Sequence, residues 1–64
     1  MEDKNLFYEV WAQSPSGLFD IYINETTDLE IAVAIARRYT DLHDVPCEVS
    51  FNDNKAAIIV NRRS

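Results

Sequence analysis

One helical segment, enclosed by a capping signal and a proline, divides this chain into two strand-forming halves. Thr27-Asp28-Leu29-Glu30 fits a capping box, in which the Thr27 hydroxyl accepts from the backbone N–H of Glu30. Pro46 ends the segment, because the residue before a proline avoids helical backbone angles. Residues at helical spacing form an apolar stripe over about half of the circumference. The stripe consists of Leu29, Ala32, Val33, Ile35, Ala36, Tyr39, Leu42 and His43.

The residues before the helix alternate between two sets of side chains in two runs, 6–13 and 18–24. Aromatic and β-branched residues are frequent in both runs, which favours β-strands. The joining residues, 14–17, include a proline and a glycine, which supply the backbone angles of a short turn. We therefore predict a β-hairpin before the helix.

Two shorter runs, 47–52 and 56–61, follow the helix and predict a second hairpin. Asp53 and Asn54 lie between them and tolerate left-handed backbone angles, so they fit a tight turn. The predicted element order is ββαββ. One helix then packs on one face of a four-stranded, mainly antiparallel sheet in an α+β domain, with the strand order left open.

The length of the chain supports one domain only. With 64 residues, we expect a single α+β domain over residues 1–64, with frayed termini at 1–5 and 62–64. Hydrophobic residues make up 47% of the chain, which is enough for a core. A core of this size gives a narrow margin of stability, and the single cysteine, Cys47, excludes an internal disulfide. Self-association is the remaining expected source of stability.

Alternation assigns the apolar strand residues to two opposite faces of the sheet. The face covered by the helix is predicted to hold Tyr8, Val10, Phe19, Ile21, Ile23, Val49, Phe51, Ile58 and Val60. The opposite face is predicted to hold Phe7, Trp11, Leu18, Tyr22 and Ile59. A solvated sheet face is normally polar, so this second set is the predicted protein interface.

Three interpretations of the aromatic face compete. A contact with another protein or with a second copy is favoured, because tryptophan and tyrosine anchor such interfaces. Base stacking on nucleic acid is disfavoured, because Glu9, Asp20 and Glu48 share the face and repel phosphates. In the third interpretation the aromatics have no partner, and the Arg62 tail or the 14–17 turn folds over them.

The net charge of −5 limits the classes of partner. It repels nucleic acid and anionic membranes and favours cationic partners. No apolar run approaches the ~20 residues of a membrane span, and no signal peptide is recognisable, so a cytoplasmic location is expected. An acidic inhibitor or nucleic-acid mimic, which binds a cationic groove of another protein, is therefore the second functional hypothesis.

Residues that could carry chemistry are few. His43 and Cys47 are close in sequence, but a cysteine nucleophile also needs oxyanion donors, and Gly17 is the only glycine. Cys47 falls at a core position of its run, as free cysteines often do. No spacing fits a zinc or calcium site, and no cofactor is predicted. Carboxylates near the helix start are explained as capping and dipole partners. They are Glu25, Asp28 and Glu30.

The sequence therefore predicts a small non-enzymatic protein-interaction or regulatory module. Its expected partner is another protein or a second copy of the chain, with no nucleic acid, membrane or metal. The predicted interface is the aromatic sheet face. An enzyme subunit that uses His43 and Cys47 is the third hypothesis.

Overall fold

A computed structural model describes residues 7–51 and 57–61 of the chain. These residues form four strands and one helix in the predicted ββαββ order. The elements are β1 (Tyr8–Ala12), β2 (Ile21–Thr26), α1 (Leu29–His43), β3 (Cys47–Phe51) and β4 (Ala57–Val60). The predicted α+β fold is confirmed. The predicted turn at Asp53 and Asn54 and the predicted frayed termini lie outside the described residues.

The four strands form one antiparallel sheet in the order β2-β1-β3-β4. Each predicted hairpin pairs with itself, β1 with β2 and β3 with β4. The hairpins join through β1 and β3, whose pairing runs from Tyr8 with Phe51 to Ala12 with Cys47. Strands β1 and β3 therefore form the centre of the sheet, and β2 and β4 form its edges.

Helix α1 packs on the sheet through three small side chains that lie one turn apart. Ala32, Ala36 and Thr40 are fully buried, and residues four apart share one helix face. The buried strand residues of the core are Val10, Ala12, Cys47, Val49 and Val60. The Thr40 hydroxyl donates to the Val60 carbonyl at 3.4 Å, so the polar group in this core has a partner.

The predicted covered face is confirmed at the centre of the sheet and is more exposed at its edges. Tyr8 and Phe51 stack across the central strand pair, with ring centroids 4.6 Å apart. Ile21 and Ile58 lie on the edge strands and are 38% and 45% exposed. One helix is about 10 Å wide and four strands span roughly 15 Å, so a single helix does not cover both edges. Phe19 precedes β2 and is half-buried.

The start of α1 differs from the predicted capping box. The N-cap residue is Asp28, whose carboxylate accepts from the backbone N–H of Glu30 at 2.9 Å. The backbone N–H of Asp28 in turn donates to the Thr26 hydroxyl at 3.2 Å. The prediction of Thr27 as the cap was therefore wrong by one residue. Aspartate competes well for this position, because its charge also interacts favourably with the positive end of the helix.

The helix ends at His43, three residues before the proline that predicted its stop. Asp44 adopts a left-handed backbone conformation with φ 61°, and its N–H donates to the Thr40 carbonyl at 2.8 Å. This is a common way to end a helix. The Pro46 carbonyl then accepts from the Gln13 N–H at 3.0 Å, which fixes the start of β3 beside the end of β1.

The turn between β1 and β2 is confirmed at residues 14–17, but it extends further than predicted. The Gly17 N–H donates to the Ser14 carbonyl at 2.9 Å, and the Ser14 N–H donates to the Leu18 carbonyl at 2.8 Å. Gly17 has φ 92°, a conformation that other residues rarely adopt. Because the loop continues, β2 begins at Ile21 and Leu18 lies outside the sheet.

Strand β2 contains a bulge that changes which of its residues face the helix. The pairs on either side of the bulge are Val10 with Asn24 and Trp11 with Tyr22. Ile23 is therefore the extra residue of β2, and a bulge shifts the alternation of faces by one position. As a result, Glu25 pairs with Glu9 and lies on the sheet face opposite α1. Strict alternation from Ile21 would instead place Glu25 on the face covered by α1.

Candidate interaction surface

The sheet face opposite α1 carries the candidate site. Two rows of paired residues cross this face, with one residue from each strand in each row. The first row is Tyr22, Trp11, Glu48 and Ile59. The second row is Glu25, Glu9, Ser50 and Ala57. We call these eight residues the open face.

An aromatic pair occupies one end of the first row. The rings of Trp11 and Tyr22 meet edge to face, with centroids 5.3 Å apart and planes at 72°. This geometry is favoured because the positive edge of one ring meets the negative face of the other. Trp11 is half-buried, and Tyr22 is 49% exposed. The pair therefore presents aromatic surface to the solvent side of the sheet.

Glutamates hold the polar end of each ring. The Trp11 Nε1–H donates to Glu9 Oε1 at 3.1 Å, and the Tyr22 hydroxyl donates to Glu25 Oε1 at 2.8 Å. The hydrogen bond to Glu25 is the main reason that the pKa of Tyr22 lies above its ordinary value, followed by desolvation and the negative charges of Glu25 and Glu9. Both rings are thus fixed by contacts within the chain.

The open face is negatively charged. Glu9, Glu25 and Glu48 are three of its eight residues, and none of the eight is a lysine or arginine. Glu9 and Glu25 are a directly opposed pair, and Glu48 is the direct neighbour of Trp11 on β3. The aromatic pair is therefore surrounded by carboxylates.

The structure brings together some of the predicted interface residues. Trp11 and Tyr22 are in contact, and Ile59 lies in the same row, 47% exposed, with Glu48 between it and Trp11. Phe7 directly precedes β1 and is half-buried. Leu18 is 64% exposed but lies in the turn, so its predicted position on the sheet face was wrong.

Sequence reasoning missed Glu25 as part of this site. It assigned Glu25 to the helix start, whereas the structure places it in β2 with its carboxylate on Tyr22. The sequence contained one local signal for this position, the asparagine directly before Glu25. Asn24 Oδ1 accepts from the Glu25 N–H at 2.7 Å, and such side chain to backbone hydrogen bonds by asparagine compete with regular strand pairing.

The two residues considered for catalysis lie in different surroundings. Cys47 is fully buried, which confirms its predicted core position, and burial raises the pKa of its thiol while a hydrogen bond with Thr40 lowers it. His43 is exposed at the helix end, and its ring centroid lies 4.2 Å from that of Tyr39. Among the described residues, no group of three or more His, Cys, Asp or Glu side chains could hold a metal ion.

A second apolar surface lies on the outer side of α1. Leu42 is 72% exposed and Ile31 is 49% exposed, and with Ala34 and Arg38 they line a shallow depression. Leu42 belongs to the predicted apolar stripe, but the structure leaves its side chain exposed at the edge of that stripe. At 100° per residue, Leu42 lies about 20° around the helix from Ile35, which packs against the core, so Leu42 lies at the margin between the covered and the outer sides of α1.

No helix in residues 7–51 and 57–61 is long and apolar enough to cross a membrane. Comparison of the chain with protein-family models, curated proteins and solved structures gives no match.

Proposed function

We propose that this chain is a small non-enzymatic module that binds another protein, or a second copy of itself, through the open face. The Trp11–Tyr22 pair carries the proposal, because two aromatic rings are in contact on the face opposite the core. Tryptophan and tyrosine are enriched among the residues that contribute most to protein binding. A reducing compartment such as the cytoplasm suits this module, whose single cysteine is a buried thiol.

The arrangement around the rings also supports an interface. Both rings are held by hydrogen bonds to glutamates, so they lose less conformational freedom when a partner binds. Ile59 adds exposed apolar surface in the same row. Apolar and aromatic residues with polar residues around them are the usual composition of a protein interface.

The other two hypotheses have less support. A nucleic-acid mimic needs carboxylates in a phosphate-like array, whereas Trp11 and Tyr22 interrupt the glutamates of the open face. A cysteine enzyme needs an accessible thiolate, whereas Cys47 is fully buried and burial raises the pKa of its thiol.

The experiment compares wild type with Trp11→Asp and with Leu42→Asp, a matched change on the outer side of α1. Light scattering over a wide concentration range measures self-association. To find other partners, the protein is immobilised and exposed to an extract of the source cells, and mass spectrometry identifies what it retains. Titration of the purified partner then measures the affinity. We expect Trp11→Asp to weaken the association about thirtyfold or more, as loss of a central aromatic anchor does, and Leu42→Asp to match wild type.

Circular dichroism must show that both variants remain folded, and Tyr22→Ser provides a milder second test. If folded Trp11→Asp associates like wild type, the open face is not the interface. If Leu42→Asp alone abolishes association, the partner binds the outer side of α1 instead. A chain that stays monomeric and retains no partner contradicts the proposal outright.

A further inference from the structure

We infer that the partner of the open face is a basic protein segment, which places an arginine side chain against Trp11 and between the surrounding glutamates. The inference rests on the proposed function and specifies the chemistry of the partner. Its starting point is charge complementarity. The open face has three glutamates and no basic residue, so it attracts a cationic surface.

A second copy of the chain does not fit this face well. Packing two open faces together brings the three glutamates of each copy into one interface, with no lysine or arginine of either face to neutralise them. Like charges that are removed from water inside an interface oppose association. A partner with the opposite charge removes this repulsion.

The aromatic pair favours a guanidinium group in particular. Tryptophan attracts cations more strongly than the other aromatic side chains do, and arginine is the more frequent partner. The planar guanidinium both stacks on a ring and donates several hydrogen bonds in its plane. Trp11 therefore offers a flat surface on which a planar guanidinium stacks, whereas the compact ammonium of lysine makes a smaller contact with the ring.

The positions of the glutamates suit one arginine side chain over Trp11. Glu48 is directly opposite Trp11 on β3, where side chains lie about 5 Å apart. Glu9 lies two residues before Trp11 on the same strand, about 7 Å along the same face. A carboxylate has about four acceptor sites, so Glu9 accepts from Trp11 and still has capacity for a guanidinium.

The test uses the only tryptophan of the chain as its reporter. The indole N–H signal of Trp11 is followed by ¹H–¹⁵N NMR during titration with a blocked triarginine peptide. A tricitrulline peptide, which is neutral and of similar shape, and a trilysine peptide are the comparisons. Glu48→Gln removes one charge of the open face, and Glu30→Gln removes the same charge from α1 as the matched control.

We expect the triarginine peptide to shift the indole signal saturably, trilysine to bind more weakly, and tricitrulline to give no saturable shift. Glu48→Gln should weaken triarginine binding about twofold to fivefold, the range for one exposed ion pair, and added salt should weaken it further. Glu30→Gln should bind like wild type. Equal binding of tricitrulline, or equal effects of the two Gln variants, overturns the inference.

The two proposals fail in different ways. If association depends on Trp11 but triarginine leaves the indole signal unchanged, the basic segment is wrong and the interaction module stands. If the partner found by capture is a second copy of the chain bound through the open face, the basic segment is again wrong and the interaction module again stands. If Trp11→Asp has no effect on association, the proposed function fails and the inference fails with it.

Discussion

Replacing Asp28 by alanine should destabilise the domain by about 1 kcal/mol, the usual cost of losing an N-cap side chain. The Asp28 carboxylate accepts from the Glu30 N–H at 2.9 Å, and alanine leaves that N–H to water. Thr27→Ala is the matched control. Thr27 is exposed next to the cap but does not occupy it, so its replacement should change the free energy of unfolding by less than about 0.5 kcal/mol.

The cost at Asp28 has two parts that a second variant separates. The hydrogen bond to the Glu30 N–H needs only an acceptor, and asparagine at position 28 supplies one. The negative charge beside the positive end of the helix contributes about 0.3–1 kcal/mol at low ionic strength and is screened by salt. Asp28→Asn should therefore cost a few tenths of a kcal/mol, less at high salt, and Asp28→Ala should cost the sum of both parts.

Urea unfolding followed by circular dichroism and by Trp11 fluorescence measures these differences. A small domain has an m-value of about 1 kcal/mol per M in urea, so Asp28→Ala should lower the unfolding midpoint by about 1 M. The melting temperature should fall by about 4–8 °C. A midpoint that falls as much for Thr27→Ala as for Asp28→Ala would refute the assignment of the cap and restore Thr27 as the first residue of a capping box.

The remaining predictions concern two titratable side chains. Cys47 is fully buried, and burial raises the pKa of its thiol. A disulfide reagent should therefore modify Cys47 much more slowly in the folded chain than in urea. Equal rates would show that the thiol is accessible in the folded chain. The pKa of Tyr22 is raised mainly by its hydrogen bond to Glu25, so Glu25→Ala should lower it towards the ordinary value of about 10 in an NMR titration of the Tyr22 ring. In wild type, the hydrogen-bonded Tyr22 phenol stabilises the fold below the ordinary tyrosine pKa, and this stabilisation is lost as the pH rises through the raised pKa. An unchanged Tyr22 titration in Glu25→Ala would show that the hydrogen bond to Glu25 does not raise the pKa.

Local patterns predicted the elements of this fold because they depend on neighbouring residues. Alternation of side chains predicted the strands, and the apolar stripe predicted the helix. The turn at residues 14–17, with Gly17, predicted the first hairpin. The pairing of β1 with β3 could not be predicted in this way. Strand β2 and helix α1 lie between these strands in the sequence, and no short-range pattern records which strands become neighbours.

The candidate site was predicted in part for the same reason. Trp11 and Tyr22 were assigned to one face by alternation, and the structure confirms that they meet there. Leu18 was misplaced because the turn is longer than its Pro/Gly signal indicates. Glu25 was missed because a single extra residue at Ile23 moves it to the other face, and the alternation of Ile21 and Ile23 before it favours an unbroken strand.

The bulge at Ile23 also affects how the sheet ends. β2 is an edge strand, and an edge with evenly spaced N–H and C=O groups is a template on which a further strand can add. The extra residue breaks that spacing in the middle of β2, so an incoming strand can align with only one half of this edge at a time. The bulge therefore opposes lengthening of the sheet by strands that add to β2.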